Sequence, residues 1–159
     1  MKGKKNVISR LNKLLVGELV AADQYFVHAR MYKEWGLRKL YERLDHERQD
    51  EMEHADLLIR RILFLEGTPD ISKRPGPNIG TDVPSMLQND LDYEIAVIAE
   101  LKEAIAHCEE QQDYDTRRIL AHILEETEQD HTLWLEQQLR LITMMGLQNY
   151  LQSSMGDIN

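Results

Sequence analysis

The chain has 159 residues, of which 42% are hydrophobic and 30% charged, a balance typical of one globular domain that buries its own core. Its 28 acidic and 19 basic residues give a formal net charge of −9, which argues against nucleic acid as the main partner because phosphate binding needs clustered Lys and Arg. No apolar run approaches the ~20 residues of a membrane span, and no signal-peptide core follows the basic start. The single cysteine, Cys108, fits a reducing compartment. We expect one cytoplasmic domain over residues 1–159, with neither nucleic acid nor a membrane as partner.

Four long segments repeat apolar residues with the 3.6-residue period of an amphipathic α-helix. The helices are predicted at about 6–34, 38–66, 83–111 and 114–145, and a short fifth helix is predicted at 147–155. Gly36 and Gly67 follow the first two segments, where glycines commonly end helices. Pro84 suits the first turn of the third segment. No strand pattern is present, so the fold class is all-α.

Residues 67–82 form the one long connection between these helices. It contains three prolines and three glycines, which break a helix, and it is longer than a helix hairpin needs. The other links are short and predict two antiparallel hairpins, so the long connection must cross the length of the bundle. This connectivity is that of a ferritin-like four-helix bundle with one long crossover and a short C-terminal helix.

Two Glu-x-x-His motifs, one on the second and one on the fourth helix, are the first chemical signal. In each motif the two side chains lie one turn apart on the same helical face and can reach one metal ion. The first and third helices each add a lone glutamate that interrupts an apolar stripe. The six residues are Glu18, Glu51, His54, Glu94, Glu128 and His131. Because a buried unpaired carboxylate is costly, each glutamate needs a partner or a cation.

The two halves of the chain repeat this arrangement at nearly equal intervals. Glu18 and Glu51 are 33 residues apart, whereas Glu94 and Glu128 are 34 apart. Four carboxylates and two imidazoles around a bundle axis match a di-iron carboxylate centre, with ions ~3.5–4 Å apart. Oxygen and imidazole ligands without thiolate suit iron or manganese. The alternative is a structural network of buried, salt-bridged glutamates, but few Lys or Arg residues share these stripes.

Tyr25 lies two turns beyond Glu18 on the same helical face. This position suits a hydrogen bond to the centre or a one-electron role in catalysis. A tyrosine that only packs in the core fits the sequence equally well.

These residues, in this order, resemble bacterioferritin over essentially the whole chain. The match includes "LNKLLVGELVAADQYFVHARMY", "DEMEHAD", "RILFLEGTP", "DHTLWLEQQL" and "MGLQNYLQS". The resemblance implies that the six residues named above bind two iron ions per subunit, with Glu51 and Glu128 bridging. It implies a ferroxidase that oxidises Fe(II) with dioxygen or peroxide and stores Fe(III) mineral. The extra residue in the second interval suggests an insertion before Glu128 relative to some family members.

The resemblance also implies an assembly and further sites. The assembly would be a shell of 24 identical subunits built from dimers, with the short fifth helix around the fourfold axes. His46 and Asp50 match positions that some members use for iron on the inner wall. Met52 has polar helical neighbours, which directs it away from the core, and it matches the methionine that ligates a haem b shared by two subunits. Electrons for iron release would come from a bacterioferritin-associated ferredoxin.

Three other classes of protein are weighed against this interpretation. A DNA-protecting mini-ferritin has its metal sites between subunits and usually lacks the fifth helix, and an acidic chain opposes DNA binding. A di-iron peroxidase of the rubrerythrin type is disfavoured because no Cys-x-x-Cys module is present. A non-catalytic bundle, or a structural subunit of a mixed shell, does not account for the complete ligand set.

Overall fold

A computed structural model describes residues 1–157 as a bundle of four long helices and one short helix, in agreement with the all-α prediction. The helices are α1 (Lys5–Glu34), α2 (Arg38–Phe64), α3 (Val83–Glu110), α4 (Tyr114–Glu126), α5 (Leu133–Met145) and α6 (Leu147–Ser154), and a π-helix over Thr127–Thr132 joins α4 to α5. The α1–α2 and α3–α4 links are short, and residues 65–82 cross from one hairpin to the other. None of the described helices is long and apolar enough to cross a membrane.

The helix ends follow from local sequence. Gly36 has φ 75°, a left-handed conformation open to glycine, and the Leu37 N–H donates to the Tyr32 carbonyl to close the end of α1. At the start of α3, the Asp82 carboxylate accepts from the Ser85 N–H while the Ser85 hydroxyl accepts from the Asp82 N–H. Pro84 lies in the first turn of α3, as its sequence position predicted.

A buried polar network fastens the crossover to the bundle. The Gly80 N–H donates to Nε2 of His28 over 3.0 Å, so Nδ1 of the neutral ring carries the proton and donates to Asp90 over 2.9 Å. Gln24 donates to the same Asp90 oxygen and accepts from the Asn78 N–H. The crossover has no regular structure of its own, so these bonds set its path.

The apolar core consists of two clusters with a polar layer between them. The first cluster includes Leu11, Leu58 and Leu101, and the second includes Leu44 and Leu87. Glutamate and histidine side chains from four elements occupy the layer between, almost inaccessible to solvent. The hydrophobic effect thus drives the helices together on both sides of the layer and encloses its charged groups.

The π-helix corrects the prediction of one continuous α-helix over 114–145. A π-turn holds one more residue than an α-turn, and such turns commonly occur within α-helices at functional sites. The extra residue counted in the 34-residue interval therefore has a structural counterpart at 127–132. Thr127 takes the core-facing position there, and its hydroxyl donates to the Ile123 carbonyl over 2.9 Å.

Arg61 on α2 provides a test of how the two hairpins are held together. Its buried guanidinium donates to Thr116 and Asp113 at the start of α4, over 2.7 and 2.8 Å. Arg61→Met should destabilise the protein by about 1.5–3 kcal/mol because the charge-assisted hydrogen bonds to these acceptors are lost. Arg60→Met, at an exposed ion pair one residue earlier, should change stability by less than about 0.5 kcal/mol. Urea unfolding of both variants measures the difference, and equal midpoints would contradict this role of Arg61.

Candidate metal centre

Five of the six predicted ligands meet in the polar layer. Glu18, Glu51 and His54 form one group whose ligand atoms all lie within 4.8 Å of one another, and Glu51, Glu94 and His131 form a second. Glu51 belongs to both groups and lies between them. The two imidazole rings are stacked with centroids 6.1 Å apart. The bundle therefore offers two adjacent half-sites that share one carboxylate.

Each donor reaches the layer because it occupies an inward position of its element. Glu18 comes from α1, Glu51 and His54 from α2, Glu94 from α3 and His131 from the π-helix. All five have relative exposures of 1% or less. The i, i+3 spacing of Glu51 and His54 brings the carboxylate within 3.5 Å of His54 Nδ1, as the motif predicted.

Several possible metal-ligand atoms in this layer have no hydrogen-bond partner of acceptable geometry among the described residues. They are Oε1 of Glu18, Oε1 of Glu51, Nδ1 of His54 and Nδ1 of His131, all buried. Buried polar atoms are normally satisfied, and exceptions call for a specific explanation. Four such atoms, contributed to both half-sites, fit metal ligation. The residues present therefore suit a pair of ions bound by oxygen and imidazole.

The metal-free layer redistributes protons between acids and bases. Burial acts to raise the pKa of Glu51, but the close approach of Glu18 and of the two histidines lowers it overall. Burial acts to lower the pKa of His54, but the nearby carboxylates of Glu18 and Glu51 raise it to about 11. The pKa of Glu18 is raised well above its ordinary value by burial and by the charge of Glu51. An anionic Glu51 between cationic histidines is thus the favoured state without metal.

Tyr25 is fully buried at the edge of the second half-site, and its hydroxyl donates to Oε1 of Glu94. Burial, with the nearby charge of Glu94, raises the pKa of Tyr25 well above its ordinary value. The phenol therefore stays protonated and keeps its role as donor. The predicted hydrogen bond to the centre is present; the predicted one-electron role stays a prediction.

Glu128 is the predicted ligand that the structure does not bring to the centre. Its carboxylate lies 2.7 Å from Nζ of Lys102 on α3, and its side chain is partly exposed. The physical reason is the π-helix, whose extra residue turns Glu128 away and places Thr127 inward. The expected second bridging carboxylate is therefore replaced in this position by a threonine.

Two further carboxylates touch the outer nitrogens of the histidines. Oε2 of Glu126 lies 2.5 Å from Nε2 of His54, and Oδ2 of Asp50 lies 3.2 Å from Nε2 of His131. Glu126 lies outside the two Glu-x-x-His motifs of the sequence. Two sequence features together could have pointed to Glu126: the extra residue in the 34-residue interval, and the presence of Thr127 next to it at the inward position.

His46 and Asp50, predicted as a possible iron site on the inner wall, lie together on α2. Nε2 of His46 is 3.5 Å from Oδ2 of Asp50. Asp50 also forms a group with Asp130 and His131 whose ligand atoms lie within 4.8 Å of one another. The structure thus joins Asp50 to the centre through His131, a connection that the sequence analysis did not include.

Met52 is exposed on α2, with 47% of its surface accessible, as its polar neighbours predicted. One turn earlier on the same helix, Arg48 lies over the ring of Phe26, 6.0 Å from its centroid. Phe26 on α1 is itself 46% exposed. Met52 and Phe26 are thus both apolar side chains exposed to solvent on the single chain.

A four-helix bundle whose core holds two carboxylate–histidine groups is the architecture of di-metal carboxylate proteins. Comparison with known proteins agrees: residues 8–145 match the family model described as a ferritin-like domain. The chain belongs to the ferritin family, which confirms the resemblance at that level.

Relatives match over nearly their whole length. The chain is 80% identical over 159 residues to a protein named bacterial ferritin from Paramagnetospirillum magnetotacticum, covering 99% of this chain and 97% of the relative. A bacterial ferritin from Synechocystis sp. is 63% identical over 155 residues, covering 98% and 99%. A bacterioferritin from Brucella melitensis is 38% identical over 152 residues, covering 96% and 94%.

Proposed function

We propose that this protein stores iron and oxidises Fe(II) at the buried centre formed by Glu18, Glu51, His54, Glu94 and His131. The observation that carries the proposal is the pair of half-sites that share Glu51, with four buried donor atoms lacking hydrogen bonds. Membership of the ferritin family, and relatives named bacterial ferritin and bacterioferritin, support it.

The residues favour iron and its oxidation for electrostatic reasons. Imidazole and carboxylate donors without thiolate suit iron. Three carboxylates supply three negative charges once their protons are lost, and this charge favours Fe(III) over Fe(II). Two Fe(II) ions together supply the two electrons that reduce dioxygen to hydrogen peroxide, or hydrogen peroxide to water. Tyr25 holds its proton and orients Glu94.

Assembly into a cytoplasmic shell of 24 copies is part of the same proposal. Several large apolar side chains remain exposed on the single chain and need a partner surface. Around α6 they include Met144, Leu147 and Met155. A bacterioferritin-associated ferredoxin would supply electrons for iron release.

The ferroxidase proposal is tested by Glu18→Ala and His131→Ala. Each variant removes a ligand side chain from one half-site. Loss of an outer partner of a ligand typically costs about 10–100-fold, so loss of the ligand itself should slow aerobic Fe(II) oxidation by more than that. Initial rates are followed by the ferric absorbance, with assembly checked by gel filtration. Glu103→Ala, at an exposed glutamate of α3, is the control and should keep the parent rate. Unchanged rates in both site variants would refute the centre.

Haem binding by Met52 is proposed from its exposure and from the resemblance. Met52→Leu should abolish or strongly shift the Soret band of protein purified from haem-replete cells, because leucine offers no sulfur ligand. Met144→Leu, at another exposed methionine, should leave the band unchanged. A parent protein without a Soret band, or a Met52→Leu band identical to the parent, would exclude ligation by Met52.

A further inference from the structure

His54 is held between the centre and a carboxylate on its far side. Its Nδ1 faces inward, 3.5 Å from Oε2 of both Glu18 and Glu51. Its Nε2 lies 2.5 Å from Oε2 of Glu126, the last residue of α4. The two nitrogens of the buried ring therefore have distinct surroundings, one facing the donors of the half-site and one facing a single acceptor.

This arrangement fixes the state in which the ring can serve a metal. A neutral imidazole carries one proton, and the hydrogen bond of one nitrogen decides which nitrogen is free to ligate. A carboxylate at Nε2 keeps the proton there and leaves the Nδ1 lone pair free. His131 is built in the same way, with Asp50 at Nε2 and Glu51 at Nδ1.

The π-helix explains why Glu126 is available for this contact. Thr127 occupies the inward position, and the glutamates on either side of it reach different neighbours. Glu126 reaches His54 on α2, whereas Glu128 reaches Lys102 on α3. The second oxygen of Glu126 lies 3.5 Å from Nε2 of His122, one turn earlier on α4, which helps to hold the carboxylate in place.

We propose that Glu126, rather than Glu128, is the carboxylate through which the fourth helix serves the centre. It is a positioning residue that directs Nδ1 of His54 at the first half-site and does not itself ligate. The proposal rests on the metal centre of the proposed function. It gives α4 an outer partner of a ligand, where the resemblance implied a bridging ligand from the fourth helix.

The test measures Co(II) binding by the metal-free, assembled protein through the d–d absorption of bound cobalt. Glu126→Ala should lower the affinity for one of the two bound ions by about 10–100-fold, the loss typical of removing an outer partner of a ligand. Glu126→Gln should restore much of the affinity, because the amide oxygen still accepts the Nε2 proton. Glu128→Ala should change either affinity by less than about threefold, and Glu125→Ala, at an exposed neighbour, is the matched control.

A double-mutant cycle separates positioning from general support of the fold. If Glu126 acts through His54, Glu126→Ala should cause no further loss of affinity in a His54→Ala background. Additive losses, or a larger effect of Glu128→Ala than of Glu126→Ala, would overturn the proposal while leaving the centre intact. A parent protein that binds no Co(II) would overturn both the proposed function and this inference.

Discussion

Glu51→Gln is expected to abolish tight metal binding at both half-sites, whereas Glu18→Gln should weaken metal binding at one half-site only. Glu51 is the residue that the two half-sites have in common. Its carboxylate lies 2.9 Å from Nδ1 of His131 and 3.5 Å from Nδ1 of His54. The amide keeps the shape but removes the charge that both ions would share, so each half-site loses an anionic ligand.

Co(II) titration measures the outcome as a change in stoichiometry. The parent should bind two ions per subunit tightly, Glu18→Gln about one and Glu51→Gln none, with Fe(II) oxidation lost in the last. Glu53→Gln, two residues along on the exposed side of α2, should behave like the parent. If Glu51→Gln retains one tight ion, the half-sites do not share this carboxylate and the geometry of the centre needs another account.

The sequence predicted the bundle and the five residues that meet in the buried polar layer, because both depend on helical periodicity. Glu18 and Glu94 interrupt apolar stripes, and an α-helix carries each of them inward wherever its neighbours pack. The same periodicity misplaced Glu128. Its motif spacing with His131 is correct for an α-helix, but the π-helix between residues 127 and 132 breaks the three-residue correspondence on which the motif depends.

Contacts between distant residues were the other part that the sequence could not supply. Arg61 looks like any charged residue near a helix end, and its burial follows only from where the start of α4 lies. His28 and Asp90 likewise meet because the crossover returns beside α1. Periodicity assigns a residue to a face of a helix; which neighbour covers that face is decided by packing.

Raising the pH from about 6 to about 7.5 should tighten Co(II) binding steeply, because bound metal must displace protons that the metal-free centre holds. The pKa of His54 is about 11, and the hydrogen bond to Asp50 and the nearby carboxylates of Glu51 and Glu94 outweigh burial and raise the pKa of His131. Both rings are therefore protonated on Nδ1 as well as Nε2 throughout this range. A lone pair on Nδ1 becomes available to the metal only when one proton leaves.

The direction of this pH dependence follows from which ligands are already deprotonated without metal and which are not. Glu51 contributes nothing to the dependence, since its lowered pKa leaves it already ionised. Each imidazole releases a proton when its Nδ1 binds metal. Each proton released per ion contributes about a tenfold gain in affinity per pH unit. With at least one histidine proton displaced at each half-site, both apparent affinities should rise by at least about tenfold per unit.

Two measurements check this dependence independently. Apparent dissociation constants at several pH values give the slope, and an indicator dye in weakly buffered solution counts the protons released on adding Co(II). His54→Ala should lower the count, because this variant lacks the imidazole whose pKa of about 11 keeps it protonated without metal. A flat affinity profile with no proton release would mean that the histidines are neutral without metal. The anionic Glu51 would then lack the cationic neighbours that its short contacts with both rings imply.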